Sequence, residues 1–310
     1  MRKILGVNIS HNCSFAYFEN NILKEYYEED RFNKIKNYQP EENELAEYTY
    51  NYIVLKKFKN ITFDTIVFAS YDRGHLQIEL PIIKHILKQV KHKKYYFNIK
   101  NHHIYHAICG YHFSKFEEAV AIVTDGGGEK VLDSHFNFEV MESIFTINKK
   151  QIKKFYQNAS NIRHYYFTNH TKFMEQNIKN YDFDLTVSNK PLGGYNYSLY
   201  RAKAGFKEFE EGQMMGIAAY KDKNTDLNKN ILKLAHEAQE TTLQERIKLI
   251  EKAMTYSNCK NIILSGGYHL NCLNNFKLVK HFPKLNFFVD PIAYDGGTAI
   301  GAVLYYENYL

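Results

Sequence analysis

Three short strand-like runs, rich in apolar residues, open the chain: "KILGVNI" (3–9), "SFAYFEN" (14–20) and "ILKEYYEE" (22–29). Polar joins separate them, "SHNC" in the first gap and "NN" in the second. Strand-like runs divided by tight polar turns predict an antiparallel meander of three strands. The pattern then changes. Residues 41–57 and 78–92 read as helices, "TIVFAS" (65–70) and "KYYFNIK" (94–100) as strands, and a histidine-rich helix follows from residue 101.

At residue 119 the opening recurs in kind. "AVAIVTD" (119–125) predicts a strand, "GGGE" a turn, and "KVLDSHFNF" (130–138) and "MESIFTINK" (141–149) two further strands. Two halves that each begin with a meander and continue as β/α predict a duplicated α/β unit, one lobe over 1–118 and the other over 119–310. Residues 150–190 are polar, aromatic and without a period, and are expected to form an insertion or flap. From 191 helices return, broken by "EEGQMMGIAAY" (210–220), and the end reads strand, glycine turn, helix, strand, glycine turn, helix. With no Pro- or Ser-rich linker, the two lobes are expected to pack together.

An apolar content of 45% and a charged content of 24% fit a soluble globular protein. The net charge of +6 is spread among many acidic residues, so it marks no nucleic-acid surface. No apolar run approaches the ~20 residues needed to span a bilayer, and "MRKILGVNIS" is no signal peptide. Cys13, Cys109, Cys259 and Cys272 stand apart without a CxxC pair, which fits a reducing compartment, and the cytoplasm is the expected location.

Three features carry chemistry. His102 and His106 stand four apart and share a helix face on which they could grip one ion; with 14 histidines in 310 residues, random placement gives roughly 0.6 such pairs, so the spacing alone does not settle it. His103 falls off that face, where the second shell or the surface is expected. Glycine turns close three strands, at Gly126–Gly128, Gly266–Gly267 and Gly296–Gly297, and such turns offer backbone N–H groups to an anion. Two of them carry an acid, Asp125 and Asp295, able to hold a metal or order a water. Together with the histidine pair they point to a nucleotide cleft with a bound cation. The pattern is neither a Walker loop nor GxGxxG. His11, in the first turn, is a candidate general base if the first strand lines the same cleft.

Five segments in order resemble the O-carbamoyltransferases that tailor antibiotics and nodulation factors: "GVNISHNCSFAYFENNILKEYYEEDRFNKIKN", "HHIYHA", "AIVTDGGGE", "EGQMMGIAAY", and the closing pair "SGGYHLNCLNN" and "DGGTAIGA". The shared domain is also that of the tRNA threonylcarbamoyltransferases, within the actin and sugar-kinase superfamily. The resemblance therefore implies duplicated RNase-H-like lobes with the cleft between them. It implies that His102, His106 and Asp295 ligate a divalent metal, Fe2+ first and Zn or Mn as alternatives. Asp125 lies beside the ion as a fourth ligand or a phosphate neighbour. Gly266, Gly267, Asn271 and Asn275 would cradle the adenosine part of a carbamoyl-adenylate, with Gly126, Gly127, Gly193, Glu211 and Gly212 lining the same cleft. His11 would take the proton from an acceptor hydroxyl on a small molecule, sugar or nucleotide.

Asn12 stands where the family has Asp, so any carboxylate role there is lost. The family's chain normally continues into a second domain that makes carbamoyl-adenylate, whereas this sequence stops at Leu310; a separately encoded activating partner is the expectation. Two other readings are a non-catalytic nucleotide-binding subunit and threonylcarbamoyl transfer to tRNA. The retained His102, His106, Asp125, Asp295 and His11 speak against the first. The opening motif, "DGGGE" and the missing basic cluster speak against the second.

Overall fold

The computed structural model describes residues 1–40, 52–71, 76–131, 138–161, 181–188, 190–220 and 227–310. The opening meander is present as β1 (Lys3–Asn8), β2 (Ser14–Glu19) and β3 (Ile22–Glu28), paired antiparallel in succession. Asn20 and Asn21, at φ 48° and 63°, form the two-residue β2–β3 turn. Asparagine tolerates that left-handed region better than most side chains. A short helix, α1 (Asp30–Asn33), follows. On the other side of β1, β4 (Phe63–Ala69) and then β5 (His92–Phe97) pair in parallel, joined through α2 (Leu76–Gln89). The sheet order is β3-β2-β1-β4-β5.

Of the helix expected over 41–57, residues 41–51 lie outside the described residues, and Val54–Phe58 form a 3-10 turn instead. The Ile53 and Val54 N–H groups donate to the buried Glu29 carboxylate, which ties this turn to the end of the meander.

The second sheet contains β6 (Glu118–Thr124), β7 (Lys130–Val131), β8 (Phe138–Asn148), β9 (Ile152–Asn161), β10 (Asp184–Ser188), β11 (Asn261–Ser265) and β12 (Asn286–Val289). Its path is β10-β9-β8-β6-β11-β12, with β6, β8 and β9 antiparallel in succession and β6, β11 and β12 parallel. Without its edge strand β10, this order repeats the first sheet strand for strand. The α/β duplication is real. The segment 150–190 departs from expectation: β9 is a full strand of this sheet and β10 extends it, while 162–180 lie outside the described residues. Gln157, Asn158 and Ser160 of β9 are polar yet buried, because they hydrogen-bond to Glu129, to Glu142 and to the Lys190 carbonyl. Those internal partners erase the apolar period that would have marked a strand.

Two helices lie between the sheets. The helix α3 (His102–Ser114) packs on β6, β8, β11 and β12. After α4 (Gly193–Lys203), α5 (Glu211–Ala218), α6 (Lys229–Tyr256) and α7 (Cys272–His281), the last helix, α8 (Thr298–Asn308), returns to β1, β2 and β4 of the first sheet. Where α3 crosses α8, a Cβ on Gly301 would stand 1.9 Å from the Tyr105 carbonyl oxygen, so only glycine fits. Ile4, Val67, Tyr105, Ala121, Ile263, Ala299 and Val303 share the core around this crossing. β1 is buried on both faces, Ile4 into this core and Leu5 and Val7 into a second one with Phe58 and Ile86. That explains its near-continuous apolar run. Among the described residues, no helix is long and apolar enough to cross a membrane.

Candidate metal centre and cleft

The first turns of α3 bring His102 and His106 to the seam between the sheets, and both are fully buried. Asp125 closes β6 opposite them, and Asp295 opens the 3-10 turn that leads from β12 into α8. One ligand atom from each of these four residues lies within 4.8 Å of all the others. His102 Nε2 is 3.1 Å from Asp125 Oδ2 and 3.6 Å from Asp295 Oδ1; His106 Nε2 is 3.4 Å and 3.5 Å from the same two oxygens.

The backbone holds each acid in place. Asp125 Oδ1 accepts the N–H groups of Gly126 (2.8 Å) and Gly267 (3.1 Å), which leaves Oδ2 for the histidines. Asp295 Oδ2 takes the Ser10 hydroxyl at 2.7 Å, whereas its Oδ1 is buried without a hydrogen-bond partner. Burial alone would raise the Asp295 pKa, but His11 and His102 overcome it and hold the carboxyl down at about 2. Burial likewise opposes charge on His106, yet the two carboxylates push its pKa up to about 10. Two imidazoles and two anionic oxygens converging in a dry site form a donor set suited to one divalent cation such as Fe, Zn or Mn.

His11 sits on the β1–β2 turn at the edge of this cluster, partly exposed, with Nδ1 3.4 Å from Asp295 Oδ2. The Asn8 side chain anchors its turn by donating to the His11 carbonyl (3.1 Å) and accepting the Ser10 N–H (3.0 Å). Asn12 takes the left-handed conformation at φ 56° and donates to Asn37.

The glycine turns surround Asp125. Gly193, at φ 57°, and Gly194 back directly onto its backbone, and the Gly194 N–H donates to the Asp125 carbonyl at 3.0 Å. Gly266, at φ 91°, packs on Thr124 so closely that a Cβ would meet the Thr124 carbonyl oxygen at 2.3 Å. Gly126 and Gly212 face open space, and Gly127 faces the Glu139 carboxylate. Glu211 opens α5 and accepts from Ser198 (2.8 Å) and Arg201 (2.9 Å), so it joins α5 to α4.

Asn271 and Asn275 are buried, and their amides are engaged inside the fold. Asn271 accepts the Asn274 N–H as the cap of α7 and exchanges hydrogen bonds with Gln239. Asn275 binds the His269 carbonyl and ring. These bonds brace the segment that follows the Gly266–Gly267 turn. His103 takes the inner of the two places expected for it, buried beside His102 and His106: its N–H donates to Glu129, and its Nδ1 lies 2.8 Å from Ser143 Oγ. Burial holds its pKa down at about 4, so the ring is neutral.

Sequence reasoning missed Asn8 and Ser10, which fix His11 and Asp295, and the buried Arg246–Glu142 pair behind the cleft. Ser10 stands inside the quoted "NISHNCS", but a serine in a polar turn carries no signal of its own.

Residues 14–304 match the family model described as the carbamoyltransferase N-terminus. The chain belongs to this family. Comparison with curated proteins returns no match. Among solved structures, the chain is similar to full-length HypF in its phosphate- and nucleotide-bound form, at 12% identity and a TM-score of 0.55, covering 99% of this chain and 55% of that one. HypF from T. kodakarensis is similar at 12% identity and a TM-score of 0.55, with 100% and 48% covered. The chain thus spans about half the length of the HypF chains it matches. A ROK family protein from Streptococcus pneumoniae TIGR4, in complex with sucrose, is similar at 12% identity and a TM-score of 0.52, with 98% and 97% covered. At such identities the likeness is one of fold.

Proposed function

We propose that this carbamoyltransferase-family chain transfers a carbamoyl group from carbamoyl-adenylate to a hydroxyl of a small-molecule or glycan acceptor. The convergence of His102, His106, Asp125 and Asp295, with His11 beside them, carries the reading. The donor set fits a divalent ion: the site is buried, its acids are ionised, and Asp295 Oδ1 lacks any other partner. Such an ion, when bound, supplies Lewis-acid stabilisation of charge on the leaving phosphate.

The chain's own residues do the rest. The Gly126–Gly127 and Gly266–Gly267 turns, whose Gly126 and Gly267 N–H groups hold Asp125 Oδ1, set that carboxylate beside the nucleotide's phosphate, and the starts of α4 and α5 wall the cleft. His11, oriented by Asp295 at its Nδ1, takes the proton from the acceptor hydroxyl. The acceptor oxygen bonds to the carbamoyl carbon, the bond from that carbon to the phosphate oxygen breaks, and AMP leaves. Burial of the cluster excludes the water that would compete for the carbamoyl group.

These residues offer one set of glycine turns around one cleft. We therefore take carbamoyl-adenylate as delivered by a separate activating protein, in the cytoplasm. The test supplies labelled carbamoyl-adenylate to the metal-loaded chain with a panel of hydroxyl acceptors. Label transferred to a hydroxyl, and lost in Asp295→Asn, supports the reading; tight AMP binding with no transfer to any acceptor overturns it. Incubation with ATP and carbamoyl phosphate alone is expected to release no pyrophosphate, and its release would refute the need for a delivering partner.

A further inference from the structure

The loop between α4 and α5 carries a residue in an unexpected conformation. Lys207–Glu210 is a tight turn, closed by the Glu210 N–H on the Lys207 carbonyl (3.2 Å) and clamped by the Glu210 carboxylate on the Lys207 N–H (2.7 Å). Phe209 stands at its third position with φ 63°. Such a position selects glycine or asparagine, and a bulky side chain there is an outlier. Core packing does not compensate. Phe206 of the same loop packs into the cluster of Tyr197, Met214 and Tyr268, whereas Phe209 remains 40% exposed.

The contact that Phe209 does make reaches across the cleft. Its ring lies 5.4 Å from the His11 ring, tilted by 38°, and Tyr71 meets the same imidazole at 5.9 Å and 63°. His11 belongs to the first sheet's opening turn and Phe209 to the helices over the second sheet, so this pair spans the mouth of the site. A residue held in an unfavourable backbone conformation at such a place points to a role in the site rather than in the fold.

We infer that Phe209 is the acceptor-side wall of the site, a positioning residue that shields His11 and over which the acceptor must pass. The inference rests on the proposed role of His11. Phe209 presents an aromatic face and no hydrogen-bonding group. It therefore selects acceptors with an apolar face, such as the C–H face of a ring, beside the reacting hydroxyl.

The experiment reads the shielding itself. The full chain, loaded with Mn2+, is treated with diethyl pyrocarbonate, and carbethoxylation is followed histidine by histidine by mass spectrometry. His11 is expected to react several-fold faster in Phe209→Ala and Phe209→Gly than in the unaltered chain, with exposed His281 unchanged and Phe209→Tyr restoring protection. Phe209→Gly suits the turn's backbone, so it keeps the test open if Phe209→Ala melts early. Equal His11 rates in the unaltered chain and Phe209→Gly overturn the inference. Failure of the base role shows elsewhere, as undiminished transfer by His11→Asn, with the shielding result standing.

Discussion

The Nε2 atoms of His102 and His106 face each other at 3.2 Å between two fully buried rings. Two imidazole nitrogens so close, flanked by two carboxylates, are arranged for a shared cation. The purified protein is expected to hold about one equivalent of divalent metal. His102→Ala and Asp295→Ala should each reduce occupancy sharply by elemental analysis. His103→Ala should keep the metal but lose on the order of 2–4 kcal/mol of stability, because it removes a buried, hydrogen-bonded ring. Equal metal content in all three variants would sink the assignment.

The base role separates binding from chemistry. His11→Asn is expected to bind AMP nearly as the unaltered chain does but to slow carbamoyl transfer by roughly 10²–10⁴-fold, the usual cost of losing a general base. Ser10→Ala takes the hydroxyl from Asp295 Oδ2 and should give a smaller loss. Calorimetric AMP titrations and single-turnover transfer with labelled carbamoyl-adenylate measure the two terms; a tenfold or greater loss of AMP affinity in His11→Asn would contradict the separation.

Strand-like runs and glycine punctuation made much of this legible. The first meander, the Asn-Asn turn and the strand-turn-helix ending follow from turn chemistry acting locally. Of the second meander only β6 and β8 were legible; the strand read over 130–138 is β7 at Lys130–Val131, with 132–137 outside the described residues. The histidine pair and both acids could be named because few residue types serve as ligands. Three things stayed hidden, each because its cause is tertiary. β9 reads as irregular because its polar side chains find partners on β8 and in Glu129. The internal partners of Asn271 and Asn275, Gln239 and His269, come from tertiary packing that sequence alone does not show. Phe209 is one aromatic among 48 Tyr and Phe residues, and only its backbone angle sets it apart.

A pH dependence follows from Glu245 on α6. It accepts from Asn196 at 2.8 Å, with Arg246 3.7 Å away, but burial dominates and lifts its pKa from 4.5 to about 7. Between those values the folded chain holds a proton that the unfolded chain has released. Stability from this group is therefore full below about pH 4.5 and falls as pH rises through 7. Urea unfolding of the unaltered chain and Glu245→Gln at pH 5 and pH 8 should show the unaltered chain relatively weaker at pH 8, by about 1 kcal/mol or more. A difference that does not change with pH would place the carboxyl in an ordinary, solvated environment.

Gly301 links the core to the metal centre. Its missing side chain lets α8 lie against the Tyr105 carbonyl of α3, one residue before His106, where a Cβ would come within 1.9 Å. At the start of α8, the Thr298 hydroxyl donates to the Asp295 carbonyl at 2.6 Å. The same crossing thus sets the distance between the histidine face of α3 and the Asp295 turn. Because the obstructing atom is backbone, the helices themselves must separate to accept a methyl group. Gly301→Ala is expected to cost about 1–3 kcal/mol, or more if the core cannot relax. It should also weaken metal binding at least tenfold, because a shift of a few tenths of an ångström spoils a four-ligand site. Gly216→Ala on α5 is the control: a Cβ there meets nothing within 4 Å, and alanine favours the helix by up to about 1 kcal/mol. Thermal melts and metal titrations of the two variants decide the matter. A Gly301→Ala protein that melts early yet binds metal as tightly as the unaltered chain would show that the crossing supports the fold without positioning the ligands.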